Sequence, residues 1–519
     1  MAPNAPHIVI IGAGIGGLAS ALRLSHAGAR VTVLERHAAP GGKMRTVPSI
    51  AGPVDAGPTV LTMKHVFDTL FSDVGAHLED HITLNREDIL ARHFWPDGTT
   101  LDLMSDAAQS RENVARTFGE ASATEFTQFS AKARELFNAF DGPMMQSATP
   151  TAASLTSQVL KNPKLIPAMA PHLSLAKALT RQFTDPKLAQ LFARYATYVG
   201  GLPAASPAIL NLISHAEAQG VWHVQGGMHQ LAVALESLAK SHGAEFQYDA
   251  HVERIELQDG QIAAVQTRDT RLPCDAALFN GDPQALHEGH LGGAVASAVP
   301  DQNPRSLSAY VHAFAAVPEG LGLAAHNVFF ADDPDTEYRP LARDQMQSDP
   351  TLYICAQDRF GGRKPVGPER FEIIMNAAPT TQDIPDEKER QTCLTLISQR
   401  LRSFGLRLSP QPQTLTMPQE FNAMFPASSG SLYGRSPHGM MAAFKRPTAR
   451  TAIKGLYLTG GGAHPGAGVP MATLSAMHAA AAICTDLTLT STSQPVATLG
   501  GTSTGSPTVA AAQSRSSAL

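Results

Sequence analysis

The residues best placed to do chemistry stand near the start of the chain: Gly12-Ala-Gly14-Ile-Gly-Gly17, with Glu35 eighteen residues beyond Gly17. A first glycine frees a tight turn, a second lets backbone approach a pyrophosphate, and a third lets helix pack on strand. An acid at that distance accepts ribose hydroxyls. The expected chemistry is capture of a dinucleotide, its phosphates met by free N–H groups at a helix N-terminus. A bare glycine turn in an unrelated α/β protein is the alternative. Glu35 is followed by Arg36 and then by Gly41-Gly42-Lys43-Met44-Arg45. A Gly-Gly pair trailed by basic residues suits FAD lying extended and deep, and a mobile nicotinamide cofactor does not require it. A plain loop is the bland reading of the same pair.

The elements that must position these residues are legible around them. His7–Ile11 is a short β-branched run, as in a buried parallel strand. Leu18, Ala21, Leu22 and Leu24 recur at helical spacing, and Gly28 stands where such a helix would stop. Val31-Thr-Val-Leu-Glu35 reads as the second strand of a βαβ unit.

The wider chain supports a large apolar interior. Of its 519 residues 43% are apolar, enough for two or three cores. A net charge of -5 leaves no nucleic-acid footprint. Cys274, Cys355, Cys393 and Cys484 lie far apart and read as reduced, mostly buried thiols. Twenty histidines invite a metal reading, but no HExxH or Cys/His cluster supports one, and no GxSxG elbow is present. No metal is expected.

From about 60 to 220 the pattern reads as mostly helical. Residues 243–281 revert to strands, with an Asp259-Gly260 hairpin turn. Leu456-Tyr-Leu-Thr-Gly is a last short strand leading into a helix from about 470 to 487. The expected class is α/β. A Rossmann-type FAD-binding domain is assembled from discontinuous segments, 1–70, 220–290 and 451–488. Residues 71–219 are expected to form a helical substrate and membrane-contact region, and 291–450 the sheet and helices of an α+β substrate domain. The Ser/Thr/Ala/Gly-rich 489–519 reads as a disordered tail.

The run from Gly12 to Arg45 resembles the FAD-binding signature of the flavin amine oxidase and phytoene desaturase superfamily. Further stretches narrow the resemblance to the carotenoid desaturases. They are Asp55-Ala-Gly57-Pro58-Thr59-Val60, Gly220-Val-Trp-His-Val-Gln-Gly226-Gly227-Met228, Val252-Glu-Arg-Ile255, Asn280-Gly-Asp282-Pro283 and the turn from Gly455 to Pro470. Gln225 departs from the family's form, which has a proline and a basic residue before the Gly-Gly. Gly57-Pro-Thr-Val-Leu-Thr-Met, Tyr353-Ile-Cys-Ala-Gln-Asp-Arg359 and Leu432-Tyr-Gly-Arg-Ser-Pro-His-Gly439 are most similar to bacterial 1-hydroxycarotenoid 3,4-desaturases, also called methoxyneurosporene dehydrogenases.

The resemblance implies FAD as cofactor, contacted by Gly12, Gly14, Gly17, Glu35, Arg36, Gly41, Gly42, Lys43, Arg45, Gly57, Pro58, Thr59 and Val252, and from the C-terminal turn by Gly460, Gly461, Gly468, Val469 and Met471. It implies an acyclic 1-hydroxy- or 1-methoxycarotenoid as substrate, losing a hydride to the flavin and a proton elsewhere. Exclusion of water and alignment are then the protein's main contributions. No catalytic base stands out. His464 and Asp55 are the candidates, set against a turn histidine bonding local backbone and a capping acid. Phytoene desaturases, carotenoid isomerases and flavin amine oxidases share the frame, as do lipid-binding escort proteins that carry no flavin.

Such a substrate would live in a bilayer. Leu160 to Lys177 mixes apolar residues, prolines and lysines, as an interfacial patch does, and a buried part of the substrate domain has the same composition. The expectation is a cytoplasmic protein in peripheral contact with inner-membrane lipid. The electron acceptor is not identified by any motif.

Overall fold

His7–Ile11 is buried along its whole length because it sits at the middle of a sheet covered on both faces. The computed structural model describes residues 5–380, 382, 384–410 and 414–489. In it five parallel strands run in the order Leu456–Leu458, Ala276–Phe279, His7–Ile11, Arg30–Leu34 and Glu245–Gln247. Alternate side chains divide the central strand. Ile8 and Ile10 pack with Leu18, Leu22, Leu231 and Ala479 of the helices Ile15–His26, His229–Ser241 and Val469–Asp486. Val9 and Ile11 face a three-stranded antiparallel sheet, Val252–Gln258, Gln261–Thr267 and Arg271–Pro273, and pack with Val252, Ile255 and Val265. Each such fully buried side chain contributes roughly 1.5–3 kcal/mol.

The order changes direction between His7–Ile11 and Ala276–Phe279: the chain leaves the first strand for one side of the sheet and returns on the other. Ligands bind at such a switch point, outside the carboxyl ends of the strands. Gly12 and Asn280 stand at those two ends.

A second, eight-stranded mixed sheet runs Leu406–Pro410, Ser308–Gly320, Glu369–Ala377, Leu352–Ala356, His326–Phe329, Ile89–Phe94 and Thr100–Met104, with Thr414–Thr416 also paired to the Ser308–Gly320 strand. Its strands alternate with period 2. Phe329, Ile354 and Ile373 pack against Ile397 and Leu401 of the helix Glu387–Ser403, while Val328, Tyr353 and Ile374 turn the other way and line a cavity.

The reading of 71–219 as helical differs from the structure over 84–104. Leu84–Arg86, Ile89–Phe94 and Thr100–Met104 are strands, and Asn327–Phe329 pairs in parallel with Arg92–Phe94. The partner lies more than 230 residues away, so no local pattern announces it. From 107 to 218 the chain is helical, with the aromatic cluster Phe129, Phe183 and Phe192 at its centre. Among the described residues no helix is long and apolar enough to cross a membrane. The four cysteines are free, two buried and two half-buried. The expected tail falls, but for Leu489, outside the described residues.

Candidate active site

The Gly12–Gly17 turn is packed so tightly that side chains are excluded from it. Gly12 has φ +102°, in the left-handed region. A Cβ on Gly17 would lie 2.0 Å from the Gly12 carbonyl oxygen, and one on Gly16 would lie 2.8 Å from Gly460 Cα. Asn280 is wedged into the turn, its Nδ2 donating to the Gly12 carbonyl at 3.0 Å. First, middle and last segments of the chain thus meet at one point. The helix that follows has no side-chain cap, so its first N–H groups are free for an anion.

Glu35 is 4% exposed and lines the cavity beside this turn. Its carboxylate accepts the Ala13 N–H at 2.6 Å and the His37 N–H at 2.9 Å. Two bonds leave lone pairs on both oxygens, so the carboxylate is oriented without being saturated.

Gly41 donates its N–H to the Ala13 carbonyl at 2.9 Å, and a Cβ on Gly42 would meet Gly14 Cα at 3.2 Å. The Gly-Gly segment therefore lies directly on the glycine turn. Arg36 and Lys43 line the cavity with it. Lys43 donates to the Leu432 carbonyl at 2.6 Å, and burial holds its ammonium down at about 8. Arg45 does not line the cavity: it donates to Thr416 Oγ1 at 2.6 Å and lies over the Phe421 ring. Gly17 is also outside the lining and acts through the close approach to Gly12.

Gly57, Pro58 and Thr59 form the next stretch of wall, with Val252 near Glu35 and with Gly460, Gly461, Gly468, Val469 and Met471 from the C-terminal turn. A Cβ on Gly57 would lie 2.0 Å from the Lys43 carbonyl oxygen. Thr59 Oγ1 is 3.0 Å from the Tyr353 hydroxyl, which in turn lies 2.8 Å from His326 Nδ1.

Arg446 is a site residue that no motif announced. It is half-buried, lines the cavity, and donates to the carbonyls of Gly461, Tyr433 and Arg435 at 2.8–2.9 Å. Burial lowers it to about 10. With Lys43 it gives the cavity wall two half-buried cations, which suit an anionic ligand.

Asp55 and His464 have different surroundings. Asp55 lies outside the cavity lining; its Oδ2 accepts the Met228 N–H at 2.8 Å, at the start of the helix His229–Ser241. Its backbone exchanges two bonds with the Gln357 amide. It braces the segment 55–60 against the Gly226-Gly227-Met228 turn, where Gly227 leaves room for the carboxylate. His464 does line the cavity. Its Nε2 lies 2.8 Å from the Ser147 carbonyl, so Nε2 carries the proton and Nδ1 keeps its lone pair. Burial lowers the ring to about 4 and keeps it neutral near pH 7.

The cavity, about 940 Å³, continues from this cradle into an apolar arm walled by Phe137, Phe140, Leu210, Ile213, Val221 and Val328. The glycine-lined approach, the oriented acid and the two half-buried cations fit FAD, which Glu35 and Val252 would hold at one end, the glycine turn at its phosphates, and Gly57–Thr59 with Gly460–Met471 at the other.

Across residues 15–484 the chain matches the flavin containing amine oxidoreductase family, and it belongs to that family. It is a flavoprotein oxidoreductase with FAD as cofactor. The hydroxyneurosporene desaturase of Cereibacter sphaeroides is 52% identical over 487 residues, covering 93% of this chain and 98% of that one. That of Rhodobacter capsulatus is 47% identical, covering 92% and 98%. The resemblance to carotenoid desaturases read from short motifs thus extends over nearly the whole chain. Cyclohexylamine oxidase from Brevibacterium oxydans IH-35A has the same fold, with a TM-score of 0.58 at 16% identity, over 93% of this chain and 100% of that one.

Proposed function

We propose that this chain is a carotenoid desaturase that introduces the C-3,4 double bond into an acyclic 1-hydroxy- or 1-methoxycarotenoid such as 1-hydroxyneurosporene. The observation that carries this reading is the continuity of one cavity from the dinucleotide cradle into an arm of aromatic and aliphatic side chains. Further support comes from relatives named hydroxyneurosporene desaturase at 52% and 47% identity.

The reaction removes two hydrogens from a CH₂–CH₂ unit beside a polyene, one as hydride and one as a proton. Bound FAD supplies the hydride acceptor. The chain's own residues align the substrate and exclude water. Phe137, Phe140 and Ile213 hold the polyene, and Val328, Tyr353 and Ile374 close the cavity from the second sheet. Positive charge developing on the substrate spreads along the polyene, so a weak base suffices. His464 Nδ1, with its lone pair free, is such a base on the cavity wall.

The same reading puts the protein in peripheral contact with the cytoplasmic face of the inner membrane, where its substrate dissolves. Leu160 is 75% and Ile166 48% exposed, and Lys161 and Lys164 lie beside them. Such a patch suits an anionic lipid surface.

The test is incubation of the purified, FAD-loaded protein with 1-hydroxyneurosporene. Desaturation lengthens the chromophore and moves its absorption to longer wavelength, and an unshifted spectrum overturns the reading.

A further inference from the structure

A charged pair sits in the wall of the mainly apolar arm, within electrostatic reach of His326 and Tyr338. Arg194 begins the turn of helix Arg194–Val199, and Glu217 lies near the end of the helix Leu212–Ala218. Arg194 Nη2 is 3.5 Å from Glu217 Oε1, and both residues are buried and line the cavity. The guanidinium lies 4.7 Å from the Tyr195 ring and 5.0 Å from that of Tyr198. Removing a carboxylate and a guanidinium from water is expensive, and apolar residues of like volume commonly serve stability as well or better. The pair thus asks for a role beyond holding the fold.

Its unsatisfied atoms indicate one. Arg194 Nε and Glu217 Oε2 are buried and have no hydrogen-bond partner in the protein. One is a donor and the other an acceptor. Buried polar atoms are nearly always paired. A neutral hydroxyl answers both, since its O–H donates while its oxygen accepts, and a substrate alcohol takes the place a water would otherwise fill. A second cation or carboxylate would answer only one of them and repel the other partner.

The pair is also close to the segment that forms the cofactor wall. Leu61 exchanges two backbone bonds with Trp222, at 3.0 and 2.8 Å, and Val60 packs into the cluster that contains Tyr195 and Val221. Residues 57–60 therefore run alongside the wall that carries Glu217. In a 1-hydroxycarotenoid only two carbon–carbon bonds separate the hydroxyl-bearing carbon from the C-3,4 bond. Its binding site must adjoin the flavin wall, as this one does.

We infer that Arg194 and Glu217 bind the tertiary hydroxyl of the substrate, whose O–H donates a hydrogen bond to Glu217 Oε2 while its oxygen accepts one from Arg194 Nε. The inference rests on the desaturase reading above. It makes the pair the feature that separates a hydroxylated end from the bare end of the same polyene.

The experiment compares kcat/KM for 1-hydroxyneurosporene and neurosporene, using full-length FAD-loaded protein. The variants are wild type, the double variant Arg194→Met with Glu217→Leu, and Arg194→Lys. Both partners change together in the first variant because removing one strands the other's charge. Arg194→Lys keeps the cation but removes the Nε donor, so it tests the same bond in a chain that retains the ion pair. Wild type should prefer the hydroxylated substrate at least about tenfold, since a site built to bond a hydroxyl rejects the analogue lacking it. Both variants should lose most of that preference through KM for the hydroxylated substrate, with flavin content unchanged. Preference retained in flavin-loaded variants overturns the hydroxyl site and leaves the desaturase reading standing. Equal rates on both substrates in wild type do the same. Absence of any desaturation by wild type overturns the reading of function and this inference with it.

Discussion

Asn280 donates from its side-chain amide to the carbonyl of Gly12 at 3.0 Å, joining strand ends that lie 268 residues apart. The bond closes the dinucleotide cradle at the point where the sheet reverses its strand order. Replacing Asn280 with alanine removes the bond and leaves a half-buried carbonyl without it, worth about 1 kcal/mol. Asn280→Ala should bind FAD roughly tenfold more weakly, and Gly17→Ala, whose Cβ has no room beside Gly12, should purify without flavin. Flavin absorbance per chain measures both. Full occupancy in Gly17→Ala would show that the turn can relax.

His464→Ala should keep its flavin and turn over about a hundredfold more slowly, the scale of a positioned base. The buried ring titrates near 4, against 6.5 for an exposed one. It should therefore place no inflection in the rate profile between pH 5 and 8. A fold that refuses a proton the unfolded chain accepts loses stability as pH falls from about 6.5 toward 4. His464→Ala should flatten that part of the melting profile. Unchanged turnover removes the base from the mechanism.

Glu337 titrates the other way. It is buried, accepts from Asn376 Nδ2 at 2.8 Å, and burial with nearby Asp349 raises it from 4.5 to about 7. Its facing groups also include Arg400 and Tyr338. The folded chain holds a proton that the unfolded chain has released, so stability falls as pH rises from about 4.5 to 7 and is level above. Glu337→Gln should remove that fall, worth roughly 3 kcal/mol, and melt higher than wild type at pH 8. A variant that melts lower there, with the same pH slope, would place the carboxylate among the stabilising groups.

The exposed Leu160 and Ile166 make a prediction about lipid. With vesicles containing anionic lipid, wild type should float with the membrane fraction. Leu160→Asp with Ile166→Asp should lower the bound fraction several-fold without changing flavin content. Equal flotation of the two proteins would assign membrane contact to another surface.

Much of the cradle was legible because it is built from local rules. The Gly12–Gly17 turn, the strands on either side of it and the hairpin at Asp259-Gly260 follow from spacing within a few residues. What escaped depends on partners distant in sequence. Ile89–Phe94 becomes a strand by pairing with His326–Phe329, and its own alternation is too weak to announce it. Arg446 follows Lys445 and precedes Pro447 in no recognisable pattern, yet its three carbonyl bonds make it part of the wall. Arg45 looked like its neighbour Lys43 in sequence, and only the second sheet reveals that it turns to Thr416. Arg194 and Glu217 belong to separate helices whose convergence no spacing encodes.

The cradle's walls come from residues near 12, near 280 and near 460, and Leu456–Leu458 is the last of the sheet's strands along the chain. On a ribosome, the chain spends most of its synthesis with an apolar arm and half a cofactor site. Loading with flavin must follow release of nearly the complete polypeptide. A messenger truncated before codon 456 would yield an orphan with its apolar cleft unshielded, a natural substrate for chaperones and proteases.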